Sequence, residues 1–322
     1  MLNKKHTALD QLIFSALSLI LGLPNSLSAT PSSVVEPVEA SSMEARWLDG
    51  VDLAVFLDSA RESERALLQA HRAGPRSGYA ENALSTMEAS LADGAVFIEI
   101  DVGMLADGIL VLMHDDTVDR TTTGTGALSS YTLDTFKSLQ LVDPDGTVLA
   151  EAPPTLAEAF ELLNGRGIAQ LDMKGIPVDA IAEAIRGADA VGRSLVITYS
   201  SQDAIRMHEL VPEVMISVGL ESLELIEHLQ ANEFDLTRLQ AWIGVGNGRP
   251  DLDQALADLG IETSYGNFPA EAEGSADYAL MQAAGAEVLS VDNVPSAAQA
   301  LNAREAVRAV RSYYYEMKTP AP

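Results

Sequence analysis

The chain has 322 residues, room for one large domain or two average ones; 47% are hydrophobic but only 5% aromatic, so its core must be aliphatic and alanine-based. A formal net charge of −27 argues against polyanionic partners, nucleic acid and anionic membrane surfaces among them. With no cysteine, a disulfide, a thiolate nucleophile and a cysteine metal site are excluded.

Lys4 and Lys5 precede an apolar run from Leu12 to Leu23, and small residues follow in "NSLSA", 25–29. That order predicts a cleaved export signal over residues 1–29 and a periplasmic or secreted mature chain. The run is short for a membrane span, so no stable membrane insertion of the mature chain is expected. Residues 30–43 are rich in Ser, Pro and Glu and read as a flexible leader. A helical pattern from Glu44 to about Leu68 is placed to close one end of the fold; leader and helix together occupy 30–64.

From there strand and helix signals alternate. β-rich runs fall at 66–72, 96–104, 109–114, 168–174, 194–200, 214–219, 239–245, 261–266 and 287–292. Helical stretches at 81–95, 155–165, 178–190, 201–211, 221–233, 251–259, 275–285 and 296–312 separate most of them. Alternation of this kind predicts a parallel sheet covered by helices. The link "ADG", 106–108, is too short for a parallel crossover, so 109–114 is the return arm of a hairpin. Eight parallel candidates remain. The expected fold is α/β, a (β/α)8 TIM barrel over 65–316 with an extra hairpin arm after the second strand, followed by a tail at 317–322.

Strand alternation sorts the side chains. Ile98, Ile100 and Val102 share one face and should meet the helices, which turns Phe97, Glu99 and Asp101 inward. In the same way Ala169, Leu171 and Met173 face out, and Gln170, Asp172 and Lys174 face in. Gln69 and His71 share a face, as do Leu110, Leu112 and His114. Carboxylates inside a barrel are costly to bury without positive charge nearby. His71, Glu99, Asp101, Asp172 and Lys174 all stand late in their strands, at the end where such barrels build active sites.

Glu99, Asp101 and Asp172 form a hard, oxygen-rich set suited to Ca²⁺ or Mg²⁺ rather than zinc. Three carboxylates against Arg72 and Lys174 leave a local charge of about −1, which one divalent cation turns to about +1. A monoanionic phosphodiester is then attracted instead of repelled, at ~3 kcal/mol per unit pair for ~5 Å and an effective dielectric of ~20. Cleaving such an ester needs a base for the attacking oxygen and an acid for the departing alkoxide, and His71 and His114 suit both tasks. His6 lies in the signal, and His208 and His228 lie in helices and read as structural.

The stretch "AHRAG…AENALSTMEASLADGAVFIEIDVGMLADGILVLMHDDTVDRTTTGTG", 70–126, resembles the glycerophosphodiester phosphodiesterase family, and "QLDMK", 170–174, and "GAEVLSVDNVPSA", 285–297, continue the likeness. The resemblance implies the same barrel, one Ca²⁺ or Mg²⁺ ion, and hydrolysis of small glycerophosphodiesters to sn-glycerol 3-phosphate and an alcohol. It carries across His71 and His114 as the acid–base pair, Glu99, Asp101 and Asp172 as metal ligands, Arg72 and Lys174 as phosphate-binding groups, and Glu81 with Asn82 as the pair that orders the mouth. Ala73, Ala83 and Leu105 depart from the family's Gly, Thr and Thr, and Asp172 stands where glutamate is common. "ETSYGNF", 262–268, replaces a late Trp-Thr-Val-Asn strand, which puts the alcohol-side specificity in question. A lysophospholipase-D-like hydrolase and a non-catalytic binding barrel are the competing readings. "GVGNGRPD", 244–251, reads as a barrel loop, "TTTGTG", 121–126, as a loop at the mouth, and "YYY", 313–315, as part of a packed C-terminal tail.

Overall fold

Eight parallel strands close on themselves in a computed structural model that describes residues 46–319. The expected export signal, 1–29, and the leader at 30–43 lie outside the described residues. In chain order the strands are β1 (Leu67–Ala70), β2 (Phe97–Met104), β3 (Leu110–Leu112), β4 (Ile168–Asp172), β5 (Ser194–Thr198), β6 (Met215–Gly219), β7 (Leu239–Val245), β8 (Glu262–Gly266) and β9 (Val288–Val291). Pairing runs β1-β9-β8-β7-β6-β5-β4-β2, and a further β1–β2 pairing completes the ring. β3 alone is antiparallel, folded back on β2 with Val102 opposite Leu112. The (β/α)8 barrel with a hairpin arm is therefore the observed architecture.

The helices are α1 (Leu53–Glu62), α2 (Leu84–Asp93), α3 (Leu133–Lys137), α4 (Leu156–Leu163), α5 (Val178–Gly187), α6 (Ser201–Leu210), α7 (Glu224–Ala231), α8 (Pro250–Ala257), α9 (Phe268–Ala272), α10 (Tyr278–Ala283), α11 (Val294–Leu301) and α12 (Ala303–Lys318). Local chemistry sets several ends. Thr155 and Glu158 form a reciprocal capping box at the start of α4, and Gly94, left-handed at φ 117°, ends α2. Several boundaries differ from expectation; β4, for one, ends at Asp172, so Lys174 stands just past its strand and not within it. The N-terminal helix is confined to α1, where the Asp52 side chain accepts the Ala54 N–H. The single helix expected over 296–312 is two, parted at Asn302, whose φ of 51° breaks the helical path. The tyrosine run belongs to the last turns of α12, with Tyr314 buried and Tyr313 and Tyr315 exposed.

Alternation along the strands builds two concentric layers. Ile98, Ile100, Val102, Ala169, Leu171 and Met173 join the aliphatic core between barrel and helices. Inside the ring, Leu67, Phe97, Ile168, Leu195, Met215 and Val288 at the strand starts pack on Phe56 and Leu57 of α1 and on Val310 and Tyr314 of α12. α1 thus plugs the N-terminal end of the barrel with apolar surface. Above that plug the interior turns polar, with Gln69, Glu99, Gln170, Ser217, Gln240 and Ser290 all buried. The long insertion after β3 has a small core of its own, built from Leu105, Val111, Met113, Val118, Leu128 and Phe136.

Candidate active site

Glu99 and Asp101 sit on β2 and Asp172 ends β4; the parallel register sets Asp101 directly beside Asp172. The three are 2%, 1% and 5% exposed, and each offers an oxygen within 4.8 Å of the others. Each carboxylate is fixed by a partner from another segment. The Arg72 backbone N–H donates to Glu99 Oε2. Asn82 Nδ2 donates to Asp101 Oδ2 at 2.7 Å while Asn82 Oδ1 accepts the Asp101 N–H at 3.0 Å. The Tyr199 hydroxyl lies 2.9 and 2.8 Å from the two oxygens of Asp172. Lys174 Nζ reaches Asp172 Oδ2 at 2.5 Å and Asp101 Oδ1 at 3.3 Å.

The charge crowding is visible in the titration of these groups. Burial and the Asp101 charge push Glu99 well above the usual carboxylate range. Burial alone would lower Lys174, but Asp172 and Asp101 hold it well above its ordinary value. Asp101 Oδ1 is buried and makes no hydrogen bond among the described residues beyond its 3.3 Å ion pair with Lys174. Three converging carboxylates held by one ammonium fit a hard divalent cation of the Ca²⁺ or Mg²⁺ type.

His71 does not lie in a strand as expected. β1 ends at Ala70, and His71–Ala73 forms a single 3₁₀ turn. Arg72, Ala73 and Gly74 follow with φ of 50°, 69° and 85°, a left-handed path that points the Arg72 N–H at Glu99. A Cβ on Gly74 would stand 2.7 Å from Ser90 Oγ and from Val294 Cγ2, so that glycine is needed for close approach as well as for its φ. His71 Nδ1 is 2.7 Å from Asp292 Oδ1, just past β9, and its ring stacks on Phe268 at 4.5 Å between centroids. Burial pulls this imidazole down, but the Asp292 hydrogen bond and the Glu99 charge outweigh it and hold His71 above its ordinary value.

His114 follows β3, and its Nδ1 is 2.7 Å from Asp115 Oδ1. Arg72 brings a guanidinium nitrogen to 2.7 Å from His114 Nε2. Arginine has only donors, so Nε2 is the acceptor in this contact. Arg120 grips Asp115 and, through a two-pronged pair at 2.7 and 2.8 Å, Glu81. The Arg120 contact first, and His114 after it, hold Asp115 well below the usual range. Glu81 in turn lies 3.4 Å from Arg72. All nine expected site residues, His71, Arg72, Glu81, Asn82, Glu99, Asp101, His114, Asp172 and Lys174, are thereby linked in one neighbourhood.

Two cavities open on it. One of about 330 Å³ is lined by His71, Glu99 and Asp172, with a wall of Ile197, Tyr199, Leu225, Trp242 and Phe268. The other, about 240 Å³, is lined by His114, Asp115 and Lys174. The first wall gathers aromatic side chains that are rare in the chain as a whole, which bulk composition could not reveal. Asp115, Arg120, Tyr199, Phe268 and Asp292 had no assigned part in the sequence reading. The adjacency of His114 and Asp115, and Asp292 directly after a strand, were the available signals. His208 stacks on Phe234 and accepts the Asp235 N–H, and the His228 carbonyl accepts from Asn232, both on the helical shell. In 244–251, Asn247 accepts from Asn267 and Gly248 packs by Tyr265, a loop tied to its neighbouring strand.

A parallel eight-stranded barrel with a buried carboxylate triad and two carboxylate-backed histidines defines a class of α/β barrels able to hold a divalent cation. The chain belongs to the glycerophosphoryl diester phosphodiesterase family, whose profile matches residues 71–290. It is 30% identical over 162 residues to a glycerophosphodiester phosphodiesterase of Caldanaerobacter subterraneus, covering 48% of this chain and 66% of that protein. It is also 30% identical over 193 residues to human glycerophosphodiester phosphodiesterase 1, covering 57% and 53% respectively. The chain thus spans between about half and two thirds of these relatives' lengths. A glycerophosphoryl diester phosphodiesterase from Parabacteroides distasonis superposes with a TM-score of 0.69 at 26% identity, over 76% of this chain and 91% of that one. An Oleispira antarctica phosphodiesterase, solved with the product sn-glycerol-3-phosphate, has the same fold, with a TM-score of 0.59 at 20% identity over 75% and 99% of the chains.

Proposed function

We propose that the protein is a metal-dependent phosphodiesterase that hydrolyses glycerophosphodiesters to sn-glycerol 3-phosphate and an alcohol at the C-terminal mouth of the barrel. Family membership and the product bound to the Oleispira relative support the substrate class. The observation that carries the mechanism is the flanking of one acidic triad by two histidines that open on different cavities.

Glu99, Asp101 and Asp172 would hold a Ca²⁺ or Mg²⁺ ion, which when bound supplies Lewis-acid stabilisation of charge on the phosphoryl oxygens. The Arg72 guanidinium and the Lys174 ammonium grip non-bridging oxygens, the first as a fork and the second as a point charge. His114 Nε2, the acceptor of the Arg72 contact, has its lone pair available once Arg72 turns to the phosphate and takes the proton of the attacking oxygen. His71, backed by Asp292 and held above its ordinary value, gives its proton to the departing alkoxide. Glu81 and Asn82 act through others: Glu81 anchors Arg120 and so Asp115, and Asn82 fixes Asp101.

The 330 Å³ cavity is at the small end for ligand pockets and suits a short alcohol, so glycerophosphocholine is the preferred substrate over lysophosphatidylcholine. On the strength of the signal-like residues 1–29 we assign the enzyme to the periplasm or the cell exterior. Removing divalent cations with EDTA should abolish turnover of glycerophosphocholine, and Ca²⁺ or Mg²⁺ should restore it; turnover that persists in chelator would remove the metal from the mechanism.

A further inference from the structure

We propose that Tyr199 is the positioning residue of Asp172, setting how tightly the divalent cation binds; the inference rests on the metal reading above. The triad is built on one plan, a carboxylate from a strand with a neutral hydrogen-bond donor from elsewhere. For Glu99 the donor is the Arg72 N–H, and for Asp101 it is the Asn82 amide. Both belong to the stretch that carries the family resemblance. The donor for Asp172 comes from the loop after β5, 27 residues further on, outside the stretches that carry the resemblance. Outer partners of this kind hold a ligand in orientation.

Three observations single out the phenol. The Tyr199 residue is 70% exposed, yet its hydroxyl turns inward onto both carboxylate oxygens. The ring lines the 330 Å³ cavity, and its one polar atom is spent on Asp172. A phenol carries one proton, so at any moment it occupies one oxygen and leaves the lone pairs of the other free for a cation. A phenol keeps its proton at neutral pH, so the contact adds a donor and no charge. The other partner of Asp172 behaves differently. Lys174 lies 2.5 Å from Oδ2, and its positive charge competes with an incoming cation for the same carboxylate. Asp172 is also one methylene shorter than the glutamate that the family resemblance leads one to expect there. A shorter arm gains more from being aimed, and Tyr199 aims it without adding charge.

The test is calorimetric titration of the metal-depleted full chain with Ca²⁺, and separately with Mg²⁺, in the absence of substrate. Tyr199→Phe should weaken binding by ~10-fold or more, the range seen when outer partners of metal ligands are removed, with the melting temperature of the metal-free chain unchanged. Asn82→Ala should weaken it comparably through Asp101, and Asp172→Asn should abolish it. At saturating cation Tyr199→Phe should recover turnover to within a few-fold of wild type, which loss of a catalytic group would not allow. Wild-type affinity in Tyr199→Phe, beside lost binding in Asp172→Asn, overturns the role of Tyr199 and leaves the metal site standing. If the wild-type chain takes up neither cation, the metal reading falls and this inference with it.

Discussion

The two histidines are alike in having a carboxylate at Nδ1 and unlike in what surrounds them. At His114, Asp115 is clamped by Arg120 and the imidazole accepts from Arg72, which suits the ring to the base's part proposed for it. Among the described residues Asp292 has no arginine partner, its backbone N–H instead reaching Glu271 at 2.9 Å, and its charge favours the protonated form of His71. A division of labour follows that kinetics can read. Loss of a general acid matters little when the leaving group needs no proton. His71→Ala should therefore lower turnover of glycerophosphocholine ~10²–10⁴-fold yet spare an ester of glycerol phosphate with p-nitrophenol, whereas His114→Ala should impair both. Equal losses on the two substrates for both variants would reverse or dissolve the assignment. At this scale the sequence was informative where chemistry rides on alternation: Glu99, Asp101 and Asp172 could be aimed inward from the strand period alone. It was silent where contact joins distant segments. His71 and Asp292 are 221 positions apart, and no local pattern announces that they touch.

Elements with long, periodic apolar faces were legible, and the five-residue helices were not. The hairpin arm was fixed by a three-residue link that chain geometry allows only between antiparallel strands. α3 and α9 have five residues each and are too brief for a helical period, although Asn267 capping α9 and Pro269 in its first turn are start signals in hindsight. α9 carries Phe268, which stacks on His71, and Glu271, which accepts the N–H groups of Asp292 and Asn293, so the segment replacing the family's late strand motif supports one histidine. α1 brings a different constraint. Arg61 at its end pairs with Glu262 and lies 3.5 Å from Glu287, two carboxylates that are 2% and 4% exposed. One guanidinium balances one of them. Burial pushes Glu262 up to about 9 and Glu287 up to about 7, against the pull of Arg61. Both values lie above the ordinary 4.5, so the fold binds more protons than the unfolded chain, and this stability is full below about 4.5 and is lost as pH rises through 7 and toward 9. Glu287→Gln keeps the Arg61–Glu262 pair and an acceptor for the Thr263 N–H. It should match wild type near pH 4.5 and become progressively more stable above it, by up to ~1.4 kcal/mol per pH unit while one proton is in play. Urea unfolding at a series of pH values measures this, and a pH-independent difference would contradict the raised value of Glu287.

Over the whole molecule, a formal charge of −27 surrounds a site proposed to bind an anion. Two fields then oppose each other. Arg72, Lys174 and a bound divalent cation attract the phosphodiester at a few ångströms, inside any realistic Debye length, and are weakly screened. The acidic surface repels it over tens of ångströms, where raising ionic strength from ~0.01 M to ~0.15 M cuts the Debye length from ~30 Å to ~8 Å. Salt should therefore remove the long-range repulsion before it weakens the local grip. For glycerophosphoglycerol, with a net charge of about −1, kcat/KM should rise several-fold over that range, as expected for association between like charges. Glycerophosphocholine, whose choline cancels the phosphate charge, should respond much less, because the far field of a zwitterion is small. The comparison separates an encounter effect from a change in the catalytic site, since salt acting on Arg72, Lys174 or the metal would move both substrates together. A fall in kcat/KM for the anionic substrate alone would mean that the positive site, and not the acidic envelope, governs approach.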